Sequence, residues 1–194
     1  DSCQSGTKET GFNLRIRLKE DVDCLQPIVS QTRSATQIEA LVMLPLIEYS
    51  IDRIELTAMM VKELPKLINS TDSSDIYASD ILEEAVWDNG SAVTASDYAF
   101  SVKAALNPFI KNTNWKSSLK NIQDVRWDAS NPKHLEVVVA KNYLLAKELS
   151  GNINVYPEYV YDPEHIMQKF TVQDLLKKDS SSWSSSEWTL LQKF

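Results

Sequence analysis

Apolar and charged residues alternate strictly through Leu14-Arg15-Ile16-Arg17-Leu18, the period of a half-buried strand. Asp21 to Pro27 follows as a loop. From Ala35 to Leu44 the spacing turns helical, with Ile38, Leu41 and Val42 on one side, and Pro45 ends or kinks the helix. Ile54 to Met60 begins as a strand pattern and then loses a clear period. Asn69 to Asp75 is a polar loop. Ile81 to Trp87 reads as a strand, and Asp88-Asn89-Gly90 as a tight turn, because Asn and Gly tolerate the positive φ it requires. Thr94-Ala95-Ser96-Asp97 fits a capping box with Asp in place of Glu. Tyr98, Val102, Ala105 and Leu106 then recur on one face of a helix that Asn107-Pro108 stops.

In the second half, Ile122 to Trp127 and Leu135 to Ala140 are strands that the turn-rich Asp128 to Lys133 joins as a hairpin. Tyr143 to Leu149 is a short helix with Gly151 placed for its C-terminal cap. Asn154 to Tyr156 fits a short strand before Pro157. Thr171 to Asp174 repeats the cap pattern ahead of Leu175-Leu176. Asp179 to Ser186 is a polar loop, and Glu187 to Phe194 is a helix with Trp188, Leu191 and Phe194 on one face. No repeat at a solenoid period interrupts the series. The elements predict a mixed α and β chain of the α/β class, with several hairpin connections.

Composition narrows what this chain does. Its 194 residues suit one domain or two small ones. Mean hydropathy is -0.29, and no apolar run approaches the ~20 residues of a bilayer span. Against 20 Lys plus Arg stand 27 Asp plus Glu, a net charge of -7. That balance argues against a nucleic-acid partner, which needs a basic patch. The four glycines form neither a G-x-G-x-x-G nor a Walker loop.

Candidate chemistry is sparse. Cys3 and Cys24 are the only cysteines, and no C-x-x-C or Cys/His cluster suggests a metal site. Cys24, after a strand pattern, reads as a residue that packs as a small hydrophobe. Cys3 sits in a polar stretch, residues 1–10, whose composition is that of a flexible tether. It fits a lipid attachment site exposed by removal of a signal peptide, and equally an ordinary tail residue. His134 and His165 are the only histidines, and no G-x-S-x-G elbow accompanies them. Glu83 and Glu84, adjacent on a strand, point to opposite faces. The five tryptophans read as core or edge packing. The expectation is a non-enzyme with no catalytic residue, no metal and no cofactor.

The segment IYASDILEEAVWDNGSAVTASDYAFSVKAALNP, residues 76–108, resembles the signature region of extracellular solute-binding proteins of family 5. These are the peptide- and oligopeptide-binding components of bacterial ABC importers. The chain supplies Leu82, Val86, Trp87, Gly90, Val93, Thr94, Ala95, Asp97, Phe100, Ser101, Asn107 and Pro108 of that pattern. Asn89 replaces its usual aspartate and Tyr98 a small aliphatic residue. Asp21, Leu25 and Pro27 are similar to the family's opening loop. Val155-Tyr156-Pro157 with Tyr161-Asp162-Pro163 looks like a later motif in which Glu158 and Tyr159 stand where the family has lysine and histidine. The likeness covers roughly residues 12 to 170, and its central motif is one of folding.

The resemblance implies the N-terminal part of a periplasmic-binding-protein-like class II fold, a mixed sheet with β-hairpins and packed helices. Residues 1–10 would be a tether, 11–48 the start of lobe I, 49–165 a subdomain and 166–194 a truncated return to lobe I. It implies capture of a peptide or similar small solute between two lobes by a monomer, and delivery to an ABC transporter permease. The place would be periplasmic or cell-surface, held to the membrane by lipid on Cys3. Gln31, Thr32, Arg33 and Ser34, polar and just before a helix start, fit a ligand-facing loop as well as an ordinary solvated one. The apolar face of the last helix runs to Phe194, so a second lobe is expected beyond it. An alternative is a surface lipoprotein that uses the binding fold as a non-transport interaction module.

Overall fold

Helix α2, Ala95–Leu106, is the spine of the molecule, and the rest is arranged around it. The structure, a computed structural model, describes residues 15–30, 32–50, 52–111, 113–177 and 182–194. Before α2 come α1 (Arg33–Glu39), β1 (Ile47–Ser50), β2 (Glu55–Ala58), β3 (Lys66–Ser70) and β4 (Ser74–Asp80). After it come α3 (Thr113–Leu119), β5 (Ile122–Asp128), β6 (Asn131–Ala140), α4 (Ala146–Leu149) and α5 (Glu158–Tyr161). A 3-10 turn at Met167–Lys169, α6 (Val172–Lys177) and α7 (Ser185–Lys193) complete the described chain. The chain is thus mixed α and β, as expected.

Two antiparallel sheets form. β1 pairs with β2, and a four-stranded sheet runs in the order β3-β4-β6-β5. The expected β5–β6 hairpin is present, with a tighter turn than the sequence suggested, since Asp128 pairs with Asn131. β6 is one of the two central strands, and Leu135, Val137, Val138 and Val139 are all buried in it. Burial of adjacent valines marks a strand covered on both faces.

α2 packs on β5, β6, α3 and α6. The sequence suggests one apolar face, whereas every residue of the helix except Ser96 and Ala105 is buried. Its polar members are therefore partnered, as burial demands. The Ser101 hydroxyl donates to the Asp97 carbonyl at 2.7 Å and accepts from Tyr156 N–H at 2.8 Å. Asn107, fully buried at the helix end, donates to the Leu191 carbonyl at 2.9 Å and so ties α2 to α7.

Several expectations give way to the structure. Residues 15–18 form no strand, and Ile16 is 66% exposed; alternation alone makes no strand when no neighbour supplies a ladder. The expected Ala35–Leu44 helix ends at Glu39, leaving Leu41 and Val42 exposed. The polar stretch from Asn69 to Asp75 is not a loop. It is the end of β3, a short turn and the start of β4, in register Ser70↔Asp75. β3 is exposed along its whole length, so an edge strand without alternation escaped the pattern. Ile81 to Trp87 is irregular, with single bridges Val61↔Ile81 and Val86↔Ala92, and Glu83-Glu84 lie in a turn. Asn154 makes one bridge, to Pro45, in place of a strand.

Candidate functional site

The turn at residues 88–90 is built as its sequence requires. Gly90 has φ +82, its N–H donates to the Trp87 carbonyl at 2.9 Å, and Trp87 N–H donates to the Ser91 carbonyl at 2.8 Å. Asn89 Oδ1 accepts from Ser91 N–H at 2.8 Å and from its hydroxyl at 2.6 Å. The capping box of α2 forms beside it. One Asp97 oxygen accepts from Thr94 N–H at 2.8 Å, from the Thr94 hydroxyl at 2.9 Å and from the Trp87 indole at 3.4 Å. These residues therefore hold the segment 86–97 rigid, and the motif has a structural explanation.

What the rigid segment presents is a cleft. Val86, Trp87, Asp88 and Val93 form one wall of a cavity of about 520 Å3. Val42, Met43 and Leu44, just beyond α1, form a second wall, and Val155, Pro157, Tyr159, Val160 and Tyr161 a third. The lining is largely apolar, and its rim leaves Val42, Val86 and Val160 more than half exposed. Isolated exposed apolar residues are ordinary, but a contiguous apolar concavity is the usual form of a ligand site. A polar clasp crosses its edge, where the Tyr159 hydroxyl donates to Asp88 Oδ1 at 2.7 Å. That bond pushes the Tyr159 hydroxyl pKa up to about 12, with desolvation and the Asp88 charge adding to it.

Beside the cleft lies a group that the sequence reading missed. Glu39, at the end of α1, is only 7% exposed, and its Oε1 has no hydrogen-bond partner. Burial and the Glu39 charge together hold the Tyr156 and Tyr161 hydroxyls above their ordinary pKa. Glutamate in the apolar stripe of a predicted helix was the available signal.

The loop singled out in the sequence is differently placed. Thr32 is the N-cap of α1; its hydroxyl accepts from Ala35 N–H at 3.2 Å and donates to Asp23 at 2.9 Å. Ser34 is buried and Arg33 is exposed. The cleft walls start ten residues further along the chain, at Val42. Gln31 and Cys3 lie outside the described residues, and Cys24 carries a free, half-buried thiol.

The histidines pair with carboxylates. His134 Nδ1 lies 2.7 Å from Asp80, and His165 Nδ1 lies 3.1 Å from Glu158. Among the described residues neither histidine has a serine within hydrogen-bond reach. Nor does any group of three or more His, Cys, Asp or Glu converge as a metal site would need. No described helix is long and apolar enough to cross a membrane. Among the tryptophans, Trp188 packs at a tilt on Phe109 and Trp183 edge-to-face on Phe170, while Trp127 is 43% exposed.

Comparison with known proteins places this geometry in a class. No family model matches the chain, and no curated protein matches it. Solved structures do. The pheromone receptor PrgZ matches 73% of this chain with 30% of its own, at 17% identity and a TM-score of 0.60. Listeria monocytogenes OppA bound to peptide matches 74% with 31% of its own, at 18% identity and a TM-score of 0.59. NikZ from Campylobacter jejuni, in complex with Ni(L-His), matches 84% with 29% of its own, at 19% identity and a TM-score of 0.58. The chain has, in part, the periplasmic-binding-protein-like fold of these structures. It spans about three tenths of the length of the structures it matches.

Proposed function

We infer that the chain is part of a family 5 solute-binding protein that captures a peptide, or a similar small solute, and delivers it to an ABC permease. The observation that carries this reading is the open apolar cleft, in a fold shared with peptide-binding OppA. The chemistry this reading gives the cleft is recognition: apolar walls for side chains, and the Asp88–Tyr159 clasp for polar groups. The buried Glu39 carboxylate adds negative charge near Tyr161, a wall residue, and that charge favours a cationic group of the ligand. Arg33, exposed at the start of α1, belongs to the same reading as the partner of a ligand carboxylate, with Gln31, Thr32 and Ser34 shaping its loop.

The division into a tether at 1–10, a first lobe from 11–48, a subdomain at 49–165 and a return from 166 is part of this proposal. So are lipid attachment at Cys3, a periplasmic or cell-surface location and a monomeric state. Labelling with a clickable fatty acid in a bacterial host tests the anchor: Cys3→Ser, in the chain with its leader, abolishes the label if Cys3 carries lipid.

Trp87 in the cleft wall supplies the readout for capture. Apolar peptides titrated into the protein are expected to shift Trp87 emission and raise Tm. Val86→Asp and Val160→Asp, both at exposed positions, are expected to abolish the response without lowering Tm. If no peptide in a mixed library moves either signal, the capture reading fails. The exposed rim also favours a second reading, in which the cleft docks a protein partner without import. A saturable response to short peptides counts against that alternative.

A further inference from the structure

Against α2, where Ser96, Phe100 and Lys103 line it, lies a second cavity, of about 370 Å3, with a different lining. Phe100, Met167 and the Trp127 ring supply apolar walls. Lys103 and Glu158, of opposite charge, line it together, 8% and 9% exposed respectively. They make no ion pair with each other. Lys103 Nζ donates to the Met167 carbonyl at 3.0 Å and sits 6.0 Å from the centre of the Trp127 ring. That uses one of its three N–H groups, and no second acceptor is in reach among the described residues. Glu158 Oε1 accepts from Gln168 at 2.7 Å and from His165 at 3.1 Å, which leaves Oε2 free of a described partner.

Lys103 and Glu158 thus present an ammonium and a carboxylate oxygen to one cavity, and burial pulls the Lys103 pKa down while the Glu158 and Asp162 charges act against that. A ligand bearing both an acceptor anion and a donor cation would satisfy both side chains at once.

We propose that this cavity binds a compact zwitterion with an apolar or aromatic side chain, the chemistry of a free α-amino acid. The ligand carboxylate meets Lys103 Nζ and its ammonium meets Glu158 Oε2. The side chain lies against Trp127 and Phe100, where an aromatic ring stacks on the indole. A molecule of about a dozen heavy atoms suits a cavity at the small end of the usual ~300–1,000 Å3 range. The site shares no lining residue with the apolar cleft and stands independently of the capture reading.

The test is titration of L-phenylalanine into the 15N-labelled protein, following the indole N–H resonances, with Trp127 assigned through Trp127→Phe. The expected result is a saturable shift of the Trp127 resonance while that of Trp87 stays in place. N-acetyl-L-phenylalanine lacks the ammonium and L-phenylalaninamide lacks the carboxylate. Each is expected to bind roughly ten- to a hundredfold more weakly, the loss of one charge-assisted pair. Lys103→Met is expected to abolish the shift. Should that variant not fold, Glu158→Gln, which keeps the shape and removes the charge, is expected to weaken L-phenylalanine but not the acetylated analogue. No saturable shift, equal binding of the blocked analogues, or a shift at Trp87 alone overturns the proposal.

Discussion

Two glycines in this chain are required for different physical reasons. At Gly90 the backbone is left-handed and an added Cβ would meet nothing within 4 Å, so only φ makes the demand. At Gly151 no positive φ is involved, and a Cβ would lie 2.9 Å from Ile47 Cγ1, in the buried start of β1. The sequence identified both residues; Gly151 serves the helix cap it suggested, its N–H donating to the Glu148 carbonyl at 3.1 Å, and the structure adds the close packing. Gly90→Ala is expected to cost about 1–2 kcal/mol through backbone strain. Gly151→Ala is expected to cost about 1–3 kcal/mol through overpacking, and Ile47→Ala should relieve part of that cost only in the Gly151→Ala background. Urea midpoints of the three variants and the double variant measure this. Tyr159 was noted in the sequence only as a departure from a family pattern, and its partner Asp88 is 71 residues away along the chain. Its hydroxyl is expected to titrate near pH 12, and Asp88→Asn to return it toward 10, as read by ultraviolet difference absorbance.

Elements with local grammar were legible. α2 begins at its capping box and stops at Asn107-Pro108, and α6 begins where Thr171 and Asp174 exchange bonds at 3.0 and 3.1 Å. A third box, Ser184 with Glu187, stood in plain view inside what reads as a polar loop. Strands without a period were illegible, because β3 is an edge with every residue exposed and its place is set by pairing with β4. Asp97 tests how much one cap holds. Asp97→Ala removes the acceptor of Thr94 N–H, the Thr94 hydroxyl and the Trp87 indole. The expected loss is about 1–3 kcal/mol in the urea midpoint at unchanged slope, with a red shift of Trp87 emission as that wall of the cleft loosens.

At the scale of the molecule, one core runs from Ile28 to Leu191 and has Tyr98 and Phe100 at its centre. Tyr98 is fully buried, with its hydroxyl donating to the Leu149 carbonyl at 3.4 Å, and burial pushes its pKa well above the ordinary 10.0. Tyr156 is shifted the same way. Between the unfolded and folded values only the unfolded chain releases these protons, so stability falls as pH rises above about 10. Urea midpoints are expected to drop between pH 9 and 11, and Tyr98→Phe to flatten that drop. A midpoint independent of pH in this range would falsify the burial of these hydroxyls. The sequence by itself determined the turn at Gly90, the cap and stop of α2 and the β5–β6 hairpin, because those depend on φ, on reach over three or four residues, or on a short connection. Only the tertiary structure decided that residues 42–44, 86–88 and 155–161 enclose one apolar cleft, and that Lys103 and Glu158 share another cavity. No local period encodes a meeting between segments so far apart along the chain; it follows from burying both faces of α2 at once.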